Sequence, residues 1–242
     1  MKKHAIIFLV LIINNIFSQS KGEVIYEIKY NLTIEKIDER VKKMKTKPNK
    51  KFIQALKSRL KNSGNIEGKL TFSNGMSNYE LIDKVSNEGK NVSTSLLRNS
   101  TGGDNLYYTS IMKEECLIQD CKTLDECFVI EKEKAEWSLS QETKNIGGYN
   151  CYKAINTNSK NKIKKAIAWY TNEIPLGYGP KDYCGLPGLV LEIEEAAIIY
   201  RAKKITLYPK KEIVLKKLKG EKITEEKFKK LVLKSFPEFH KK

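Results

Sequence analysis

Histidine is nearly missing from this chain: His4 stands at its start and His240 at its close. Histidine is the commonest general base and the usual activator of a serine or cysteine nucleophile, so Ser-His and Cys-His catalysis lack their central group. Arginine is scarce too. Only Arg40, Arg59, Arg98 and Arg201 stand among 45 Lys and Arg residues. Arginine is the preferred reader of phosphates and bases, so the net charge of +16 does not point to nucleic acid, and no nucleic-acid partner is expected. No apolar run reaches the roughly 20 residues that span a bilayer, so no transmembrane segment is expected. G-x-S-x-G, G-x-x-x-x-G-K-[ST] and G-x-G-x-x-G motifs are also absent. The paired acids Glu114-Glu115 and Glu194-Glu195 are adjacent in sequence, and adjacent strand residues point to opposite faces, so neither pair can share a substrate. No catalytic residue, cofactor or metal is expected, and the expectation is a non-enzymatic role.

What is present begins with the leader. Lys2 and Lys3 precede an apolar stretch from Ala5 to Ile13, and small residues follow at Ser18 and Ser20. This is the layout of a secretory signal peptide at residues 1–18, with the remaining 19–242 expected to form one α+β domain. Export would place Cys116, Cys121, Cys127, Cys151 and Cys184 in an oxidising compartment, where disulfides are the default. Five is odd, so at most two bridges form within one chain and one thiol is left over. The C-x4-C-x5-C spacing from Cys116 to Cys127 is looser than the C-x2-C pairs of zinc sites. Charge is uneven. Residues 36–62 hold eleven Lys or Arg against two acids and residues 201–242 fifteen against five, whereas 63–200 carry fifteen bases and nineteen acids. Two basic flanks around an acidic body read most simply as solvated lysine surface.

Periodicity supplies the elements. Val24, Tyr26, Ile28 and Tyr30 alternate with other residues, the period of a half-buried strand. Phe52, Leu56 and Leu60, with Ile53 beside them, make one stripe on a basic helix over 49–61. That helix reads either as a contact for an anionic membrane or as a helix packed on the sheet, and its shortness favours the sheet. Ser73-Asn74-Gly75 marks a hairpin. Residues 84–105 are polar and Gly/Asn/Ser-rich, the composition of a long loop. Strand patterns follow at 105–112, 126–139, 147–156, 163–174, 189–193, 196–208 and 211–219, and Thr224 caps a closing helix. The sum is an α+β fold: a curved antiparallel sheet of about nine strands with one helix near each end.

The stretch "YCGLPGLVLEI" (183–193) contains Gly185, Leu186, Pro187, Gly188, Leu189 and Val190. Pro187 suits position i+1 of a type II turn and Gly188 the positive φ of position i+2. The next strand should send Leu189, Leu191 and Ile193 inward, with Val190, Glu192 and Glu194 outward. With "GGYNCYKA" (147–154) and "AWYTNEIPLGYGP" (168–180) in the same order, this hexamer resembles the hallmark of the GLPGLI family. These are exported proteins of Bacteroidetes without an established activity. The resemblance implies a periplasmic or extracellular envelope protein and brings no catalytic residue with it. Because Cys151 and Cys184 both lie in the motif region, they are expected to pair, with one local bridge among Cys116, Cys121 and Cys127. Two functions remain. One is a binding module, similar to periplasmic lipoprotein carriers, that shelters an apolar ligand such as a lipid or a lipoprotein anchor. The other is an interaction or scaffold protein that meets another envelope protein through its basic flanks or spare thiol, with no cavity. An apolar cavity beneath the sheet would favour the carrier; a solid core with an exposed apolar patch would favour the scaffold.

Overall fold

A computed structural model describes residues 20–82, 92–158 and 165–237, so the expected leader lies outside the described residues. Strand β1 (Lys21–Tyr30) buries Val24, Tyr26 and Ile28 completely while the residues between them stay half-exposed, as the alternation predicts. Helices α1 (Ile34–Lys43) and α2 (Lys50–Asn62) follow, capped by Thr33 and Asn49. The chain then lays down β2 (Ile66–Ser73) and β3 (Met76–Leu81) around Asn74 and Gly75. Both turn residues have positive φ, 52° and 74°, the type I′ geometry for which Asn-Gly is selected. Helix α3 (Val92–Ser100) occupies part of the expected 84–105 loop, with Leu97 fully buried and the Thr101 hydroxyl donating to the Leu97 carbonyl. A single buried leucine and a side-chain cap carry this helix, which is why its polar composition hid it.

Next come β4 (Leu106–Ser110), β5 (Glu115–Asp120), β6 (Phe128–Glu131), β7 (Trp137–Ile146), β8 (Tyr149–Asn156) and β9 (Ile167–Thr171). Strands β10 (Leu189–Glu194), β11 (Ile198–Leu207) and β12 (Glu221–Thr224) and helix α4 (Glu225–Ser235) complete the set. All twelve strands join one open sheet, in the order β12-β6-β5-β4-β3-β2-β1-β11-β10-β9-β8-β7. Every pairing is antiparallel except β12 with β6. The α+β, antiparallel-rich reading stands, but with twelve strands rather than nine and four helices rather than two among the described residues. The expected strand at 211–219 is instead an extended strap. Its Lys216 and Lys219 amides donate to the side chains of Asn78 and Gln119 rather than to a ladder.

Strands β6 and β7 stand ten places apart in that order, yet only residues 132–136 join them. Ten steps of about 4.8 Å would spread a flat sheet over about 48 Å. A five-residue link reaches about 20 Å. The sheet must therefore curl so that its two ends approach, without closing into a barrel. One face of the curl is packed with Tyr26, Phe72, Tyr79 and Tyr200, all essentially inaccessible. Residues 172–188 lie over that face and bury Ile174, Leu176, Tyr178 and Leu186 against it, with the Tyr178 ring 5.6 Å from that of Phe72. A second, smaller cluster of Phe128, Ile130 and Ile223 is covered by Phe228 and Leu231 of α4.

Candidate functional site

The segment 172–188 carries the sequence motif, and its local hydrogen bonds explain its residue choice. The Leu189 amide donates to the Ile174 carbonyl, Val190 to Tyr178 and Gly185 to Gly177, folding the segment into a compact plug. The expected type II turn is not what forms. Gly185, at φ 86°, is the residue in the left-handed region, and Gly188 is not. A Cβ on Gly188 would lie 2.0 Å from the Thr171 carbonyl oxygen, so that glycine is required by close backbone approach. Nothing in a single sequence separates these two reasons for a glycine.

The cysteines correct a second expectation. Cys184 pairs with Cys116 of β5, not with Cys151, and Cys121 pairs with Cys127. Cys151 is free and fully buried, and burial pushes its thiol up to about 11, so it is not a nucleophile at neutral pH. The Cys184 carbonyl also accepts from Trp137 Nε1 of β7 at 3.0 Å. One residue thus holds two strands nine places apart in the sheet, and the plug sits inside the curl.

Two clefts open beside it, sharing Ala135 of the β6–β7 link. The first, about 560 Å3, has an apolar wall of Ile111, Pro175, Leu186, Pro187 and the Cys116–Cys184 bridge and also takes in the paired Glu114 and Lys134. The second, about 620 Å3, is more polar and is lined by Tyr30, Lys132, Asn156, Lys181, Tyr183 and Glu195. There Lys181 Nζ and the Tyr183 hydroxyl both donate to Glu195 Oε1, each at 2.9 Å. Glu194 faces the other way and accepts from Trp169 Nε1, so the adjacent acids do take opposite faces. Burial, reinforced by the Glu195 charge, raises the phenols of Tyr79, Tyr107, Tyr183 and Tyr200 far above their ordinary value. They remain neutral, so they offer hydrogen bonds and no general base.

Sequence reasoning missed the charged cluster on the opposite face. Every residue from Leu189 to Ile193 is inaccessible, so the expected outward acid Glu192 is buried. A bulge at Leu191 breaks the simple alternation, and the carbonyl of the preceding Val190 accepts from the Tyr26 hydroxyl at 2.6 Å. Glu192 is held by Lys144 of β7 and Arg201 of β11, and Lys144 also lies 4.1 Å from the centre of the Trp169 ring. An acid inside the apolar run "LVLEI" was the available signal. Its partners, 48 and 9 residues away, were not legible.

Comparisons with known proteins are consistent with this picture and coarser than it. Residues 156–192, which include the motif, Cys184 and Glu192, match the family model Porph_ging, described as a protein of unknown function. The GLPGLI resemblance is not matched by name. No curated protein matches the chain. Two solved structures of PNGF-II, in P21 and C2 space groups, are similar in fold, with TM-scores of 0.52 and 0.51 at 15% and 16% identity. Each match covers 89% of this chain, which spans only about a third of theirs, 34% and 33%. At that identity the likeness is one of fold.

Proposed function

We propose that the protein is an exported, non-enzymatic binding module of a Bacteroidetes-type envelope that holds an apolar group in the cleft beside Leu186 and Pro187. The observation that carries this reading is the cleft of about 560 Å3 whose wall is the disulfide-anchored motif. Two disulfides fit a non-cytoplasmic protein. The space beneath the sheet is filled by tyrosines and the plug, so the ligand is a protruding group, such as the end of an acyl chain or a lipoprotein anchor, seated in an open cleft. That filled interior also favours the second reading, a scaffold that meets another envelope protein without enclosing anything.

Native mass spectrometry with lipid extraction, on protein purified from the periplasm, separates the two. Bound lipid that is lost on Ile111→Asp at the cleft wall supports the binding module. An apo mass in the native protein, with a protein partner retained equally by Ile111→Asp, supports the scaffold and removes the binding module.

A further inference from the structure

Helix α2 does not pack on the sheet as its sequence suggests. None of its residues is buried, and its main packing partner is α3, beside which the Gly64 amide donates to Thr94 Oγ1. The apolar stripe divides. Ile53, Leu56 and Leu60 are half-buried on the inner side, while Phe52 projects at 62% exposure between Lys50, Lys51 and the rest of the helix. At the end of α1, Met44 is 52% exposed and flanked by Lys42, Lys43, Lys45 and Lys47. Lys57 Nζ meets Asp38 Oδ1 at 2.5 Å and ties the two helices together. Residues 36–62 thus form one unit with a surplus of nine positive charges and two projecting apolar side chains.

We infer that α1 and α2 form a docking surface for an anionic phospholipid membrane, with Phe52 and Met44 entering the interface and the lysines meeting headgroup phosphates. Charge complementarity supplies the attraction, and each basic residue near such a surface contributes about fivefold in affinity. The apolar side chains distinguish this surface from a merely soluble one, because nothing in the fold needs Phe52 exposed. The second basic region provides an internal control. The Tyr208 amide donates to the Lys21 carbonyl, which places Lys210 and Lys211 at the start of β1, whereas α1 follows its end. A ten-residue strand separates those ends by about 30 Å. The inference does not depend on the cleft reading.

The test is co-sedimentation of the full chain with vesicles of phosphatidylglycerol and phosphatidylcholine, or of phosphatidylcholine alone. Binding to the anionic vesicles alone is expected, falling steeply as salt rises from about 0.1 M to about 1 M. Replacing Lys42, Lys43, Lys50 and Lys51 by Gln should weaken it on the order of 10²-fold or more, and Phe52→Ser about tenfold. Phe52→Trp should show a blue shift, beyond any change in the emission of Trp137 and Trp169 in the unsubstituted protein, only with anionic vesicles, while preserving an exposed aromatic. The inference is overturned if Lys210→Gln with Lys211→Gln weakens binding as much per charge removed, since the charge would then act without a defined surface. It is equally overturned if Phe52→Trp reports no change on binding, or if polyphosphate is bound as tightly as the vesicles and Phe52→Ser has no effect.

Discussion

Gly185 and Gly188 sit three positions apart in one hexamer, and the fold needs them for different reasons. Gly185 turns the chain through positive φ with open space around its Cα. An alanine there meets only backbone strain, about 1 to 2 kcal/mol. Gly188 is buried against the Thr171 carbonyl, and an alanine must displace that backbone, at about 3 kcal/mol, the upper end for overpacking. Thermal melts of Gly185→Ala and Gly188→Ala should therefore show the larger fall for Gly188→Ala. The opposite order would restore the type II turn that Pro187-Gly188 suggests by composition. The glycines themselves were legible in the sequence; the through-space contact that fixes Gly188 was not, because Thr171 approaches only after β9 and β10 have paired.

Among elements, the plug 172–188 and its staple matter most. In the chain-entropy view a bridge constrains the unfolded chain in proportion to the logarithm of the loop it closes. Cys116–Cys184 closes 68 residues and Cys121–Cys127 only 6. The long bridge should contribute about 4 kcal/mol and the short one about 2. Denaturant unfolding of Cys116→Ser and Cys121→Ser, under oxidising conditions, should show that ratio. Non-reducing peptide mapping should recover both bridges and label Cys151 only after unfolding. A labelled Cys184 in the native protein would refute the pairing. Strands with strict alternation, such as β1, and the Asn-Gly hairpin were readable because their signals are local. Helix α3 and the 211–219 strap were not, since each is decided by a distant partner: a core pocket for Leu97, and the Asn78 and Gln119 side chains for the strap.

At the scale of the whole molecule, two carboxylates clamp the curl at separate places. Burial opposes ionisation of Glu192, but hydrogen bonds from Arg201 and Lys144 outweigh it and hold the carboxyl below its ordinary range. For Glu225 at the start of α4, burial is likewise outweighed by Lys229 and Lys132, and the value falls to about 2. Groups that titrate lower folded than unfolded contribute stability that is complete above the ordinary 4.5 and lost as pH falls through the folded value. Stability should therefore begin to fall below about pH 4.5. Glu192→Gln should cost about 2 kcal/mol at neutral pH, less than a fully enclosed pair because Lys144 and Arg201 keep access to water. That deficit should shrink on acidification as native Glu192 takes up its proton. A deficit that stays constant from neutral pH to pH 3 would show that Glu192 acts through packing alone.

Composition and local pattern by themselves determined the α+β class, the hairpin, the capped closing helix and a chain with little means for histidine-based catalysis. These depend on interactions within a few residues, which a single sequence displays. Tertiary structure alone decided that the sheet has twelve strands and curls around the motif segment, that Cys184 meets Cys116, that Glu192 is enclosed and that α2 is left outward. Each of these is settled by which surfaces, distant in sequence, meet in the folded chain.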